Sequence, residues 1–386
     1  MQAIQYDYII AGAGCAGLSL LYKILQSPTL ATKKILLIDQ HPKNTNDRTW
    51  CFWENKPSEF EHLTLHTYQQ IYFASQLYSA EISLENYQYK MIRGIDFYLA
   101  VMQRAKAFSN VTFVNETIIN LSSNNNIATA TTTTHTYTAH FIFNSIIWKN
   151  IEQISSSKGN YFLLQHFKGW MIETPDNIFN PSVATLMDFT ISQQYGTAFM
   201  YVLPTSANTA MIEYTLFTKK LLAPKQYEIE LKKYIQDKLR ITHFNITHEE
   251  YGIIPMTNHQ FKLQEGNIIH IGIAGGQAKG SSGYAFQFIQ KRTSKIVSQL
   301  IANNQPFCKE TFNDKKFRFY DSVLLQVLEQ NKMNGDTIFA NIFKKNSIKN
   351  ILQFLDNESN FLTDLKIMSS VPLKIFLPAA LKQFFK

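Results

Sequence analysis

The sequence predicts an α/β protein with a dinucleotide-binding domain of Rossmann type, an inserted β-rich domain and a helical C-terminal region. Three observations predict it. Gly12-Ala13-Gly14-Cys15-Ala16-Gly17 stands between an apolar strand and an apolar helix. A second glycine-rich turn, running from Gly272 through Gly275, Gly276 and Gly280 to Gly283, follows a buried strand far downstream. Between them the chain is rich in β-branched, alternating runs, whereas after residue 301 Leu, Phe and Ile recur at spacings of three and four.

Taken in order, Tyr8-Ile9-Ile10-Ala11 reads as a strand, Leu18 to Gln26 as a helix, and Lys34 to Ile38 as a second strand ending at Asp39, which is a βαβ unit. A helix is expected near Gly94, with Phe97, Val101 and Ala105 on one face, feeding the strand Val111 to Val114. Residues 118–144 predict a β-meander turning at Asn124-Asn125-Asn126. Tyr161 to Phe167, Ala198 to Val202 and Ala210 to Leu216 read as strands, and Pro224 opens a helix to Leu239. Ile268 to Ile273 is a further strand, followed by a long helix from about Gly283. The dinucleotide-binding domain is therefore assigned to residues 1–50, 91–150 and 251–300, the substrate domain to 51–90 and 151–250, and the helical region to 301–386.

Composition narrows the function. A hydrophobic content of 45% and a charged content of 17% exclude a disordered chain. The net charge of +8 allows an anionic partner, but Lys and Arg are dispersed, without the basic stripe and interleaved aromatics of a nucleic-acid binder. Cys15, Cys51 and Cys308 are too few and too far apart for a disulfide framework, which suits a reducing, cytoplasmic setting. Tyr8 to Leu25 is broken by glycines and lacks the basic flank of a signal peptide. His62 and His66 have metal-ligand spacing for a helix, but on the strand read there their rings stand roughly 13 Å apart, so no metal site is expected.

Each part of the first turn has a reason to bind a dinucleotide. Gly12 permits the tight turn, Gly14 lets a pyrophosphate approach the backbone, and Gly17 lets helix and strand pack closely, while the helix N-terminus near Ala16 offers free N–H groups. Asp39, 22 residues beyond Gly17, is placed to hold a ribose hydroxyl. A simple NAD domain has no counterpart of the second turn, whereas two-dinucleotide-fold flavoproteins do. FAD is therefore the expected cofactor, with Gly272, Gly275, Gly276, Ser282 and Gly283 along its ribitol and ring. Arg48 and Arg93 are read as FAD contacts or as surface ion pairs.

At Asn46-Asp47-Arg48-Thr49-Trp50-Cys51-Phe52-Trp53-Glu54 the sequence resembles the flavin-dependent lycopene β-cyclases of bacterial carotenoid synthesis. Leu164 to Trp170, Leu186 to Phe189, Met211 to Thr215, Ile253 to Thr257 and Gly275 to Tyr284 are similar to further blocks of that family, in the same order. Gly280 and Ser281 replace the family's usual Pro and Thr, and Tyr214 stands where a second carboxylate often follows the first, leaving Glu213 as the sole candidate acid there.

The resemblance implies a cyclisation without net redox change. Protonation of the terminal alkene of lycopene gives a tertiary cation, the neighbouring double bond closes the ring, and loss of the C6 proton leaves a β-ionone end, through γ-carotene to β-carotene. Glu213 is the implied catalytic acid, kept neutral by apolar surroundings. Reduced FAD is the implied cation-stabilising partner, with NADPH or NADH as its reductant. Trp50, Phe52, Trp53, Trp170 and Tyr201 are pocket walls or core residues. Asp188 is read as supporting the site or ending a strand, Glu249 and Glu250 as a solvated pair with one approaching the site as the alternative, and Lys279 as solvated.

A C40 substrate implies contact with a membrane. Residues 315–386 carry 11 Lys plus Arg against 6 Asp plus Glu, and the interleaved apolar and basic residues from Ile375 to Lys386 suit either the headgroup plane of the inner membrane or a buried terminal helix. The rival reading on this fold is a redox flavoenzyme, a prenyl reductase or hydroxylase.

Overall fold

A computed structural model describes residues 5–147 and 159–385. Its first layer is a parallel sheet in the order Val111–Asn115, Ile35–Asp39, Tyr6–Ala11, Thr136–Asn144 and Ile268–His270. Alternation along Tyr6–Ala11 explains why both faces are covered. Tyr8 and Ile10 pack with the helices Cys15–Gln26, Gly94–Ala105 and Phe286–Asn303, whereas Ile9 and Ala11 pack towards the meander Ile118–Asn124 and Ile127–Thr132. That meander pairs with the first half of Thr136–Asn144 and turns at Asn125 and Asn126, both at positive φ.

The second layer is a seven-stranded sheet in the order Asn245–Thr257, Phe162–Glu173, Thr209–Thr218, Thr197–Pro204, Val183–Asp188, Gln70–Ala74 and Ser79–Ser83. It is antiparallel except where Val183–Asp188 runs alongside Gln70–Ala74. Period two again sorts the side chains. Ala210, Ile212, Tyr214 and Leu216 face the helix Pro224–Asp237, and Met211 and Phe217 face the other way. A small sheet of Thr49–Glu54, Gln88–Arg93 and His66–Tyr68 lies between the layers in sequence and carries the aromatic cluster.

The C-terminal region is helical: Phe312–Glu329, Gly335–Lys345, Ile348–Leu355, Phe361–Ser369 and Leu373–Phe384. Thr311 and Asp314 form a capping box, and Ser347 and Asn360 cap the helices they precede. These helices bury Phe339, Phe343 and Ile351 against the face of the seven-stranded sheet that carries Met211.

Several local expectations change. The strand expected to Ile273 ends at His270, because Gly272 at φ +63° turns the chain into a 3-10 segment, Gly272–Gly275. The following helix starts at Phe286 rather than near Gly283. His62 lies in the 3-10 turn Glu61–Leu63 and only His66 in a strand, where its Nε2 is 2.6 Å from the Pro181 carbonyl. Lys279 is not solvated. It is buried and pairs with Asp321 at 2.9 Å and the Asn357 side-chain oxygen at 2.7 Å, because the C-terminal helices close over the second turn.

Candidate active site

The two glycine turns meet. A Cβ on Gly272 would stand 2.9 Å from that of Ala16, so the absence of a side chain brings the second turn onto the first. Gly12 is at φ +98°, and a Cβ on Gly17 would stand 1.9 Å from the Gly12 carbonyl oxygen, which is the helix-to-strand contact that the motif demands. At Gly14 nothing lies within 4 Å. Gly14 caps the helix Cys15–Gln26 with no side-chain bond, so first-turn N–H groups remain available beside that open space.

A cavity of about 410 Å³ runs from this point into the seven-stranded sheet. Gly14, Cys15 and Ala16 line one end, Gly272 and Gly283 a flank, and Glu213 and Glu250 the other end. Arg48 also lines it, donating to the backbone carbonyls of Asp47 and Tyr251 at 2.7 and 3.2 Å. The remaining residues read as cofactor contacts lie outside this lining. Gly12 and Gly17 shape the turn from behind. Asp39 accepts from Ala13 N at 2.7 Å and His41 N at 2.9 Å, and pairs with Lys43 at 3.2 Å. Arg93 is held by Asp96 through two hydrogen bonds at the surface. Gly275, Gly276 and Ser282 form the back of the second turn, where the buried Ser282 hydroxyl has no partner.

The open space at Gly14, the uncapped helix and the unpaired carbonyl oxygen of buried Gln165, which lines the cavity, fit a dinucleotide. Gly283, at φ +71°, makes the close approach possible, since a Cβ there would stand 1.8 Å from that Gln165 oxygen.

Glu213 shares its face with Met211 and Thr215, as period two predicts. It pairs across the sheet with Gly169 on one side and Tyr201 on the other. It is partly exposed and lines the cavity. Gly169 in turn pairs with Glu250, so the two carboxylates flank one missing side chain. A Cβ built at Gly169 would lie 3.5 Å from Glu250 Cγ and 3.6 Å from Glu213 Cβ. The Thr215 hydroxyl donates to Glu213 at 2.6 Å, and the Thr49 hydroxyl donates to Glu250 at 2.6 Å.

Both carboxyls are held above the usual range. For Glu213 the cause is burial, reinforced by Glu250 and opposed by the Thr215 hydrogen bond. For Glu250 it is burial, opposed by Thr49 and the Arg48 charge. Burial and the two carboxylates also push up the Cys51 thiol beside them. Tyr89, Tyr201 and Tyr284 add buried phenols, with the hydroxyls of the last two 3.4 Å apart. Of the five aromatics read as pocket walls or core, Trp50 and Tyr201 line the cavity; Trp170 packs on the opposite face of the sheet.

The reading of Glu249 and Glu250 as a solvated pair is overturned for one of them. Glu249 pairs with Lys168 at 2.9 Å and is half exposed, whereas Glu250 is buried. Adjacent residues of a strand point to opposite faces, which separates the two glutamates, and the register with Phe162–Glu173 decides that Glu250 is the one buried. Asp188 instead binds Thr190 and the Tyr234 hydroxyl, at 2.7 Å, and ends its strand away from the cavity.

Fold and site together define a protein of the FAD-binding flavoprotein fold with a carboxylate pair facing the dinucleotide turn. The chain belongs to the lycopene cyclase family: the family described as Lycopene cyclase protein matches residues 7–380. No curated protein matches it in sequence. Among solved structures it is similar to a flavoprotein/dehydrogenase from Cytophaga hutchinsonii, with a TM-score of 0.66 at 12% identity over 98% of this chain and 99% of that one. A geranylgeranyl bacteriochlorophyll reductase-like protein from Thermoplasma acidophilum gives 0.61 at 10% identity, covering 98% of each chain. Aklavinone-11 hydroxylase, solved with FAD and aklavinone, gives 0.60 at 11% identity over 78% of this chain and 63% of that one. At such identities the likeness is one of fold.

Proposed function

We propose that this protein is a lycopene β-cyclase that converts the ψ ends of lycopene to β-ionone rings, through γ-carotene to β-carotene, without net redox change. The observation that carries the reading is a glutamic acid, Glu213, lining the same cavity as the dinucleotide turn, where burial raises its carboxyl above the usual range. Gly14, Ala16, Gly272, Gly283 and Arg48 would hold FAD, using backbone N–H groups and one cation. When bound and reduced, with NADPH or NADH as electron source, FAD supplies negative charge that steadies a carbocation.

The chain's own residues perform the rest. Glu213 delivers a proton to the terminal double bond, which requires an acid still neutral at cellular pH. Met211 and Leu203 supply apolar wall and exclude water that would trap the cation. Tyr201, Tyr89 and Trp50 line the same space and offer π faces to positive charge. The Thr215 hydroxyl fixes the Glu213 carboxyl by its 2.6 Å bond.

No helix among the described residues is long and apolar enough to cross a membrane. The helix Leu373–Phe384 instead exposes Leu373, Leu377, Leu381 and Phe384, spaced by three and four, with Lys374 and Lys382 among them. This stripe supports peripheral docking on the cytoplasmic face of an anionic membrane, from which substrate is drawn.

The test is purified holoprotein, reduced with dithionite and given lycopene in liposomes. Formation of γ- and then β-carotene is expected, with loss of turnover but not of FAD on Glu213→Gln. Unchanged lycopene, or products of altered hydrogen content, would overturn the reading.

A further inference from the structure

We propose that Glu250 is a second catalytic carboxylate, which accepts the C6 proton from the cyclised cation while Glu213 acts as the proton donor across Gly169. The inference rests on the cyclase reading above.

The geometry gives Glu250 this place. It comes from the strand Asn245–Thr257, two strands from that of Glu213, so the backbones stand roughly 10 Å apart. The strand between contributes only Gly169 to this row, so no side chain of that strand stands between the two carboxylates, and the Met211 methyl, 3.4 Å from a Cβ built there, borders the space. Both line the same cavity. Each carboxylate has its own threonine: Thr215 binds one oxygen of Glu213 and Thr49 one oxygen of Glu250, leaving a second oxygen of each for substrate. Arg48 lies beside Glu250 and favours its charged form, outweighing the neighbouring Asp47, whereas no cation among the described residues acts in this way on Glu213. The pair is thus polarised into a donor and an acceptor.

The chemistry balances. Neutral Glu213 gives its proton to C2 of the ψ end, leaving a carboxylate and a cation at C1. The C5–C6 double bond closes onto C1, forming the C1–C6 bond and moving the cation to C5. The Glu250 carboxylate takes the proton from C6, and the C6–H electron pair becomes the C5–C6 double bond of the β ring. A proton passed back from Glu250 to Glu213 resets the site, so no electron is gained or lost. Removal of a proton from C4 instead would give an ε ring, and the position of the base therefore selects the product.

The test compares wild-type holoenzyme with Glu250→Gln and Glu250→Asp, each assayed for FAD content, melting temperature and carotenoid products. Glu250→Gln should lose about 100-fold in turnover while keeping FAD. Glu250→Asp, with its base withdrawn by one methylene, should turn over slowly and raise the share of ε ends, which a merely structural residue would not do. Cyclisation by Glu250→Gln within about threefold of wild type would overturn the inference, as would loss of fold and FAD in both variants.

A second readout needs no cofactor. In apoprotein the infrared carbonyl band of protonated Glu213, identified by its absence in Glu213→Gln, should titrate at lower pH once Glu250→Gln removes the neighbouring charge. The groups around the pair are Cys51, Tyr89, Tyr201 and Tyr284 beside Glu213, and Arg48, Asp47 and Thr49 beside Glu250. An unmoved band would overturn the coupling. If wild-type holoenzyme leaves lycopene unchanged, the cyclase reading fails by itself, whatever the infrared result.

Discussion

Gly169 is the cross-strand partner of Glu213, and its missing side chain is what keeps the space beside that carboxyl open. The nearest atoms to an added Cβ, at 3.4 to 3.6 Å, are in ordinary contact range, so Gly169→Ala should fold with a stability change below about 1 kcal/mol. Gly169→Val carries two more carbons into the cavity and should lower cyclisation about 100-fold by displacing substrate from the acid. Turnover and melting temperature of the two variants, measured together, check this.

Stability should depend on pH in a direction set by the same pair. A carboxyl raised on folding binds its proton more tightly in the folded state. Its contribution is therefore complete below the ordinary glutamate value of 4.5 and is lost as pH rises through the raised folded values towards neutrality. Wild-type apoprotein should lose stability across that window relative to Glu213→Gln, by on the order of 2 kcal/mol. Chemical denaturation of both proteins at several pH values between 5 and 9 reads the difference, and parallel curves would contradict it. Cyclase turnover should rise as Glu250 becomes a carboxylate and fall once Glu213 loses its proton, a bell-shaped profile whose falling limb reports the acid.

One substitution should have opposite consequences at two glycines of the same motif. An alanine Cβ at Gly17 meets the Gly12 carbonyl oxygen at 1.9 Å, a backbone atom that cannot rotate away, so Gly17→Ala should destabilise even apoprotein by about 3 kcal/mol. Gly14→Ala meets nothing within 4 Å and should leave apoprotein within about 1 kcal/mol of wild type. Its methyl group enters the space left for the pyrophosphate, and FAD affinity should fall at least about tenfold. Denaturation of apoprotein and FAD titration separate the two effects.

What the sequence made legible was local. The first glycine turn, its strand and its helix follow from spacing, and the face that Glu213 shares with Met211 and Thr215 follows from period two. The burial of Glu250 was not legible, because it depends on the register that sets Gly169 opposite it, a pairing between strands some 80 residues apart. Lys279 was misread for the same reason: its partners, Asp321 and Asn357, arrive from helices that pack over the second turn only in the folded chain. Asp39 looks like a ribose ligand by offset alone, yet its oxygens also brace the turn through Ala13 N and His41 N, bonds that no offset specifies.

The buried Lys279 makes a stability prediction. Asp321 accepts from Lys279 and from the Ser281 hydroxyl, at 2.9 and 2.6 Å, and the ammonium also faces the Phe317 ring at 5.3 Å. Lys279→Met leaves the Asp321 carboxylate buried without its cation and should cost about 3 to 5 kcal/mol. Replacing both partners, Lys279→Met with Asp321→Leu, should recover much of that loss, because no uncompensated charge remains. Urea denaturation of the single and double variants measures the coupling.

The terminal helix makes the last prediction. In Leu373–Phe384 only Ala379 is fully buried, while Leu377 is 54% and Leu381 50% exposed. Phe361, Leu362 and Leu365 of the preceding helix are exposed as well. Because these side chains contribute little to the core, Leu377→Glu with Leu381→Glu should leave the melting temperature nearly unchanged. Burying two leucines in a bilayer is worth roughly 3 to 6 kcal/mol in full, and a peripheral helix captures part of it, so association with anionic vesicles should drop at least about tenfold. Raised salt should weaken wild-type association too, since Lys374 and Lys382 flank the stripe. Turnover of lycopene held in liposomes should fall with vesicle binding, while turnover of detergent-dispersed lycopene stays close to wild type. Equal losses in both assays would place these leucines in the enzyme's own fold rather than at a membrane.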